Sequence, residues 1–372
     1  MKATTNFLQT SRTNKLIAAV VAVAVVATGY FVLRSGAAGF FAATELENGT
    51  LSGNAQIVSD SGASGGKAVR FFAGSSTTPP PAPPPTTPPP TTPPPTTPPP
   101  TPPPPTGTTT CPLPKYPKAS CTGVPAGTSL SPHNGDFTTS SNNQVIEGRR
   151  ITGDVEIRHS GVIIRNSEIY GEVKNDADAA PRFTVTDSTI GHPTSCSGQA
   201  AVGHTNYELT RVYIRGFNDG ARIQNAHGSA KPGSVANVTI RDSYIKLCGV
   251  GPEAHSDGIQ GYLAGGNATI HHNTIDQSSV PKEEWTAPIF WSDSSGNNLV
   301  FTDNMLKGGG YTIRIHAGSG HTVTGNKVVN NSWNYGAVDS SCSVINWNNN
   351  SIVDIDSNYN ITRTVNSLAC SG

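Results

Sequence analysis

Apolar residues recur at fixed places in a short motif that returns through the C-terminal two-thirds of the chain. The motif reads V-I-I-R-N-S-E-I at 162–169, F-T-V-T-D-S-T-I at 183–190 and Y-E-L-T-R-V-Y-I at 207–214. It continues as V-T-I-R-D-S-Y-I at 238–245, A-T-I-H-H-N-T-I at 268–275, L-V-F-T-D-N-M-L at 299–306 and H-T-V-T-G-N-K-V at 321–328. The third and eighth positions are mostly apolar, and apolar and polar residues alternate over short runs, which predicts strands. The fifth and sixth positions, often Asp or Asn followed by Ser or Asn, predict a corner whose polar side chains satisfy the bend. Copies start roughly 21 to 31 residues apart, a period that signals a solenoid. No helical period competes over any long window. The expectation is an all-β parallel solenoid whose coils stack and bury a continuous aliphatic interior.

A second column of strands follows the corners: A-R-I-Q-N at 221–225, G-I-Q-G-Y at 258–262, P-I-F-W-S at 288–292 and T-I-R-I-H at 312–316. Placing Ile223, Ile259, Ile289 and Ile313 inward sends Gln224, Gln260, Phe290 and Arg314 outward in one line. Ala226, Tyr262, Ser292 and His316 form a parallel line two residues on. Arg222, Gln224, Gln260, Tyr262, Phe290 and Trp291 are the candidate substrate-binding residues. Amide, aromatic and cationic groups along several coils suit an extended polysaccharide, since aromatic faces stack on sugar rings and Gln and Arg bind hydroxyls or carboxylates.

Acidic residues feed this column. Asp219 stands in N-D-G-A-R-I, Asp257 in H-S-D-G-I-Q and Asp293 in W-S-D-S-S-G. Two carboxylates at hydrolase spacing act as general acid and base. Elimination on a uronate instead needs a base and a cation. Arg314, His316, His255 or Lys246 supply these, and calcium at Asp219, Asp257 or Asp293 would neutralise the substrate carboxylate. Against each stands a plainer role. Asp-Gly is ordinary corner chemistry, His271 and His272 fall in a repeat corner as scaffold, and Trp285 and Trp291 serve as packing.

The N-terminal third differs in kind. Residues 1–43 hold about 18 uninterrupted apolar residues at 16–33, preceded by Lys2, Arg12 and Lys15. That length just crosses a bilayer, and the charge bias predicts an uncleaved anchor with the C-terminus outside; a cleaved signal peptide is the competing reading. Residues 77–110 are nearly pure Thr and Pro, a polyproline II stalk reaching on the order of 80–100 Å. The folded body is expected at 111–372.

Composition narrows the partners. Twenty-five Lys and Arg balance 25 Asp and Glu, which leaves no basic stripe for nucleic acid and no polybasic patch for a membrane surface. The six cysteines form no C-x-x-C pair, so an exported, disulfide-bonded chain is expected. The pairing proposed is sequential: Cys111 with Cys121, Cys196 with Cys248, and Cys342 with Cys370.

From 138 to 360 the repeats and their corners resemble the right-handed parallel β-helix proteins of the pectate-lyase-like superfamily. That resemblance implies the fold and leaves the reaction open, because the superfamily holds lyases, hydrolases and non-catalytic adhesins. H-S-D-G at 255–258 is similar to the N-T-D-G element of polygalacturonase-type hydrolases, and R-I-H at 314–316 to their R-I-K. The family's paired aspartates and its G-H-G element are absent, so the resemblance reaches only Asp257 and Arg314. Residues 44–76, with E-L-E at 45–47 and A-S-G-G-K-A-V-R-F-F at 63–72, resemble the opening strands of carbohydrate-binding β-sandwich modules. They are too few for a whole sandwich. The expectation is an extracellular protein that cleaves or binds an acidic glycan, as a uronate lyase or a glycoside hydrolase. The rival is a non-catalytic surface adhesin or glycan-binding module.

Overall fold

The structure, a computed structural model, describes residues 110–175, 180–224, 235–263, 265–293 and 296–372, with the backbone of two further strands. Those strands, Ala55–Ser59 and Lys67–Phe71, pair antiparallel with Ala55 opposite Phe71, and belong to a unit separate from the main body. The expected membrane anchor and Thr/Pro stalk lie outside the described residues. Among the described residues no helix is long and apolar enough to cross a membrane.

The main body is all-β. Three sheets run the length of a parallel, β-helix-like solenoid, with nine, nine and eleven strands. Each coil contributes one strand to each sheet. The first sheet includes Phe217–Gln224, Ser256–Tyr262, Trp285–Asp293, Tyr311–Ile315 and Gly336–Ser340, neighbours in that order. The second runs from Val145–Glu147 to Ile345–Asn348, and the third from Ser131–His133 to Ser351–Ile355. The third sheet ends in an antiparallel strand, Ile361–Ser367.

The repeat motif spans the corner between the second and third sheets, and its two polar positions make that corner. Every fifth-position residue has left-handed backbone: Asn166, Asp187, Arg211, Asp242, His272, Asp303, Gly325 and Asn349 all have φ between 48° and 75°. Gly, Asn and Asp enter this region most readily. Arg211 and His272 do not, and each binds the Asp at the same corner of the preceding coil. Arg211 donates through Nε and Nη2 to Asp187 at 2.7 Å each, and His272 Nδ1 lies 2.7 Å from Asp242 Oδ1.

The sixth position points inward and forms a ladder. Ser243 N donates to Asn273 Oδ1, Asn273 N to Asn304 Oδ1, Asn304 N to Asn326 Oδ1 and Asn326 N to Asn350 Oδ1, all at 2.9–3.0 Å. Each buried amide answers the backbone of a neighbouring coil, so the desolvated corner leaves few donors unpaired. The third and eighth positions, such as Ile240 and Ile245 or Ile270 and Ile275, are fully buried in one continuous core.

The three disulfides are Cys111–Cys121, Cys196–Cys248 and Cys342–Cys370, the sequential pairing expected. No cysteine is free, which is the usage of an oxidising environment.

Candidate functional site

The outward face of the first sheet carries a row of side chains in strict register. Arg222 pairs with Gln260, Gln260 with Phe290, Phe290 with Arg314 and Arg314 with Asp339. Four steps at the sheet spacing make a row of about 19 Å. Beneath it lies an inward column in the same register: Ala221, Ile259, Ile289, Ile313 and Val338. The sequence expectation placed Ile223 and Gln224 at the head of these columns. Ala221 and Arg222 stand there instead, and Gln224 lies beside Tyr262.

Three of the four steps along the row are side-chain contacts. Arg222 donates from Nε to Gln260 Oε1 at 2.8 Å and from Nη2 to Asp219 Oδ2 at 3.0 Å. The Arg314 guanidinium carbon sits 5.6 Å from the Phe290 ring centroid, within cation–π range. Arg314 Nε is 3.0 Å from Asp339 Oδ2, but its N–H is not aimed along that line, so the contact is an ion pair rather than a linear hydrogen bond. His316 Nε2 lies 3.1 Å from the other Asp339 oxygen, and its Nδ1 3.3 Å from Ser341 Oγ. Asp339 thus joins Arg314 and His316. Sequence reasoning missed it, although extending the strand register by one coil into G-A-V-D-S would have found it.

The second line differs from expectation in one place. A β-bulge between Gln260 and Tyr262 and their partners puts Asp293, not Ser292, opposite Tyr262. Extra residues of this kind re-aim side chains. Trp291, expected at the binding surface, is turned into the core, 1 % exposed, with Nε1 donating to the Gly296 carbonyl. Tyr262 keeps 40 % of its surface. Ala226 lies outside the described residues.

Asp219 and Asp257 were expected at turns, and both lie within strands, Phe217–Gln224 and Ser256–Tyr262. The glycine that follows each serves close approach between coils. A Cβ on Gly220 would meet the Gly258 carbonyl oxygen at 2.3 Å, and one on Gly258 the Pro288 carbonyl oxygen at 2.3 Å. Both aspartates are buried. Asp219 Oδ1 accepts from the Asp257 N–H at 3.0 Å, and Asp257 accepts from the Ala287 N–H. Burial pushes the Asp219 carboxyl up, opposed by the Asp257 N–H and by Arg222. Burial pushes Asp257 well above the usual carboxylate range, and the like charge of Asp219 adds to it. Asp257 Oδ1 has no hydrogen-bond partner. Asp293 is raised by burial, against the pull of Arg314.

His255 is exposed and close enough to Asp219 for its charge to favour the carboxylate. Its loop is held by buried Glu284, which accepts from Val250 N at 2.8 Å, Gly251 N at 3.1 Å and Asn218 Nδ2 at 3.1 Å. Lys246, a candidate base, belongs to the third sheet and pairs with Asp276 at 2.9 Å, away from the row. The calcium set expected from Asp219, Asp257 and Asp293 is not assembled. Among the described residues no three acidic, His or Cys side chains form a metal-holding group. Two of these acids are spent on Arg222 and on backbone N–H groups of the next coil.

No protein-family model matches this chain, and searches of curated proteins and of solved structures likewise find no match.

Proposed function

We propose that this chain is an exported, right-handed β-helix protein of the pectate-lyase-like kind that binds an acidic polysaccharide along the first sheet. The N-terminal apolar segment would anchor it, and the Thr/Pro stalk would hold the solenoid away from the membrane. The observation that carries the binding reading is the registered row Arg222, Gln260, Phe290, Arg314 and Asp339. A linear glycan presents repeating hydroxyls, carboxylates and apolar ring faces, and the row offers amide, guanidinium and aromatic groups at regular spacing. Arginine carries five donors, and Arg314 commits only its Nε side to Asp339. The rest of the guanidinium is left for a uronate carboxylate or a ring hydroxyl.

Cleavage is the second reading, and Asp257 is what favours it. A carboxyl raised by burial and by the like charge of an ionisable partner is the arrangement acid–base cleavage uses. Asp257 is only 1 % exposed, so this reading also requires the site to open to substrate.

The test is titration of polygalacturonate, alginate and glycosaminoglycans into the full chain, with reducing ends and unsaturated products followed in parallel, with and without calcium. Saturable binding weakened by Arg314→Gln supports the first reading. Product that disappears in Asp257→Asn while binding persists supports the second, and binding without product gives a non-catalytic module. Absence of binding to every acidic glycan ends the proposal.

A further inference from the structure

Away from the row, the corner between the third and first sheets holds a depression of about 440 Å³ spanning three coils. Its lining includes Val280, Lys282, Trp285, Lys307, Asn331 and Ser332. We infer that this corner is a second carbohydrate site, for a single sugar unit bearing an anionic group, independent of the first-sheet row.

The aromatic element is fixed in advance. Trp285 donates from Nε1 to the Val280 carbonyl at 2.9 Å, so its ring orientation is set without a ligand. The ring is partly exposed at the mouth of the depression. An indole with its N–H satisfied and part of its ring in water offers apolar surface to a pyranose.

The charge beside it is in excess. Lys282 Nζ stands 5.6 Å from the Trp285 ring centroid, and among the described residues it pairs with no carboxylate. Lys307 reaches only Asp276 Oδ2, at 3.8 Å. That oxygen is already 2.9 Å from Lys246 Nζ and accepts from Tyr359 Oη at 2.5 Å. Two lysines therefore share one buried carboxylate, and a third has none. Ammonium groups left short of counter-charge recruit an anion, here at the edge of an aromatic ring.

The remaining wall is polar and built. Ser332 Oγ donates to the Val329 carbonyl at 2.8 Å and accepts from Gly308 N at 3.1 Å, tying the 329–332 turn to the coil before it. Asn331, held in left-handed backbone at φ 53°, is exposed and offers its amide to ring hydroxyls. The volume is at the small end of ligand sites, which fits a single sugar unit rather than a long chain. The shared recognition element is the anionic group on the sugar, carboxylate or sulfate.

The test uses the full chain and three matched disaccharides, one carrying a uronate, one a sulfate and one neutral. Binding is read by calorimetry and by quenching of tryptophan fluorescence. The expected result is saturable binding of one or both charged sugars over the neutral one, weakened roughly tenfold or more in Lys282→Gln/Lys307→Gln, two surface changes that leave the core intact. Trp285→Phe, which keeps the packing, should lose the quenching. Which charged sugar binds identifies the anion. Equal binding of the neutral sugar, competition by inorganic sulfate as strong as by the sugars, or a smaller effect of the double variant overturns the inference. Arg314→Gln should change this affinity less than twofold, so the corner and the row succeed or fail separately.

Discussion

His272 Nδ1 lies 2.7 Å from Asp242 Oδ1, the two residues occupying the same corner position in consecutive coils. The other ring nitrogen, Nε2, is 2.8 Å from the Lys115 carbonyl oxygen, so the doubly protonated ring satisfies both partners. Burial works against that charged form. The Asp242 contact, the Lys115 carbonyl and nearby Asp303 outweigh it and raise His272 above its ordinary 6.5. A raised histidine stabilises fully below its unfolded value and ceases to as pH rises through the folded value. Asp242 is lowered from 3.8, chiefly by His272 against the cost of burial, so its contribution is present above 3.8 and is lost as pH falls through its depressed value. Thermal melts across pH should therefore show wild type losing its margin over His272→Gln as pH climbs past the raised histidine value. A margin that stays constant there refutes the linkage.

The sixth-position ladder predicts an unusually costly amide. Asn304 Nδ2 donates to the Ile270 and Thr302 carbonyls and to Asn326 Oδ1, and its Oδ1 accepts from Asn273 N. Asn304→Ala strands several buried groups and should cost about 3 kcal/mol in denaturant unfolding. Asn304→Ser should cost less, because Ser243 fills the same place one coil from Asn273. Equal losses for the two variants would mean that volume, not hydrogen bonding, sets the price.

Asp339 offsets the charge of Arg314 and also lies 3.1 Å from His316 Nε2. Asp339→Asn should therefore strengthen binding of an acidic glycan and steepen its salt dependence, whereas Arg314→Gln weakens it roughly tenfold. Affinities measured at two salt concentrations check both signs. Weakening by Asp339→Asn would mean that the ion pair orients Arg314 more than it discharges it.

Phe290 and Trp291 are adjacent and should part company on mutation. Trp291 is fully buried, so Trp291→Ala should cost about 3–5 kcal/mol. Phe290→Ala should move stability by less than about 1 kcal/mol and reduce glycan affinity. Unfolding curves and binding isotherms on both variants separate the roles.

Much of the scaffold was legible because its physics is local. The corner positions and the buried third and eighth residues follow from residue type at a fixed offset, whereas the disulfides, 10, 52 and 28 residues apart, follow no such offset. The site was less legible. Sliding the 221–225 strand by two residues leaves inside and outside unchanged, so alternation could not choose between Ile223 and Ala221 as the partner of Ile259. Trp291 was in fact legible, since Ile289 inward and Phe290 outward already turn it into the core; the bulge that puts Asp293 opposite Tyr262 was not, because nothing in W-S-D marks one. The Asp-Gly pairs looked like turns, yet Gly220 and Gly258 are there because neighbouring coils press against them, a contact between residues far apart in sequence.

The two-residue corner between the second and third sheets has a consequence for how such a chain can diversify. Its length does not vary from coil to coil, since the fifth and sixth residues fill it each time, for example between Val235–Arg241 and Tyr244–Lys246 or between His321–Thr324 and Lys327–Val329. The variation in coil length therefore falls at the other two corners, on either side of the first sheet, and in bulges within strands. The fixed corner acts as a metronome that keeps the stack in phase, and insertions accumulate along and beside the first sheet. A lineage could reshape the surroundings of the first-sheet row without disturbing the register that aligns Arg222 with Asp339.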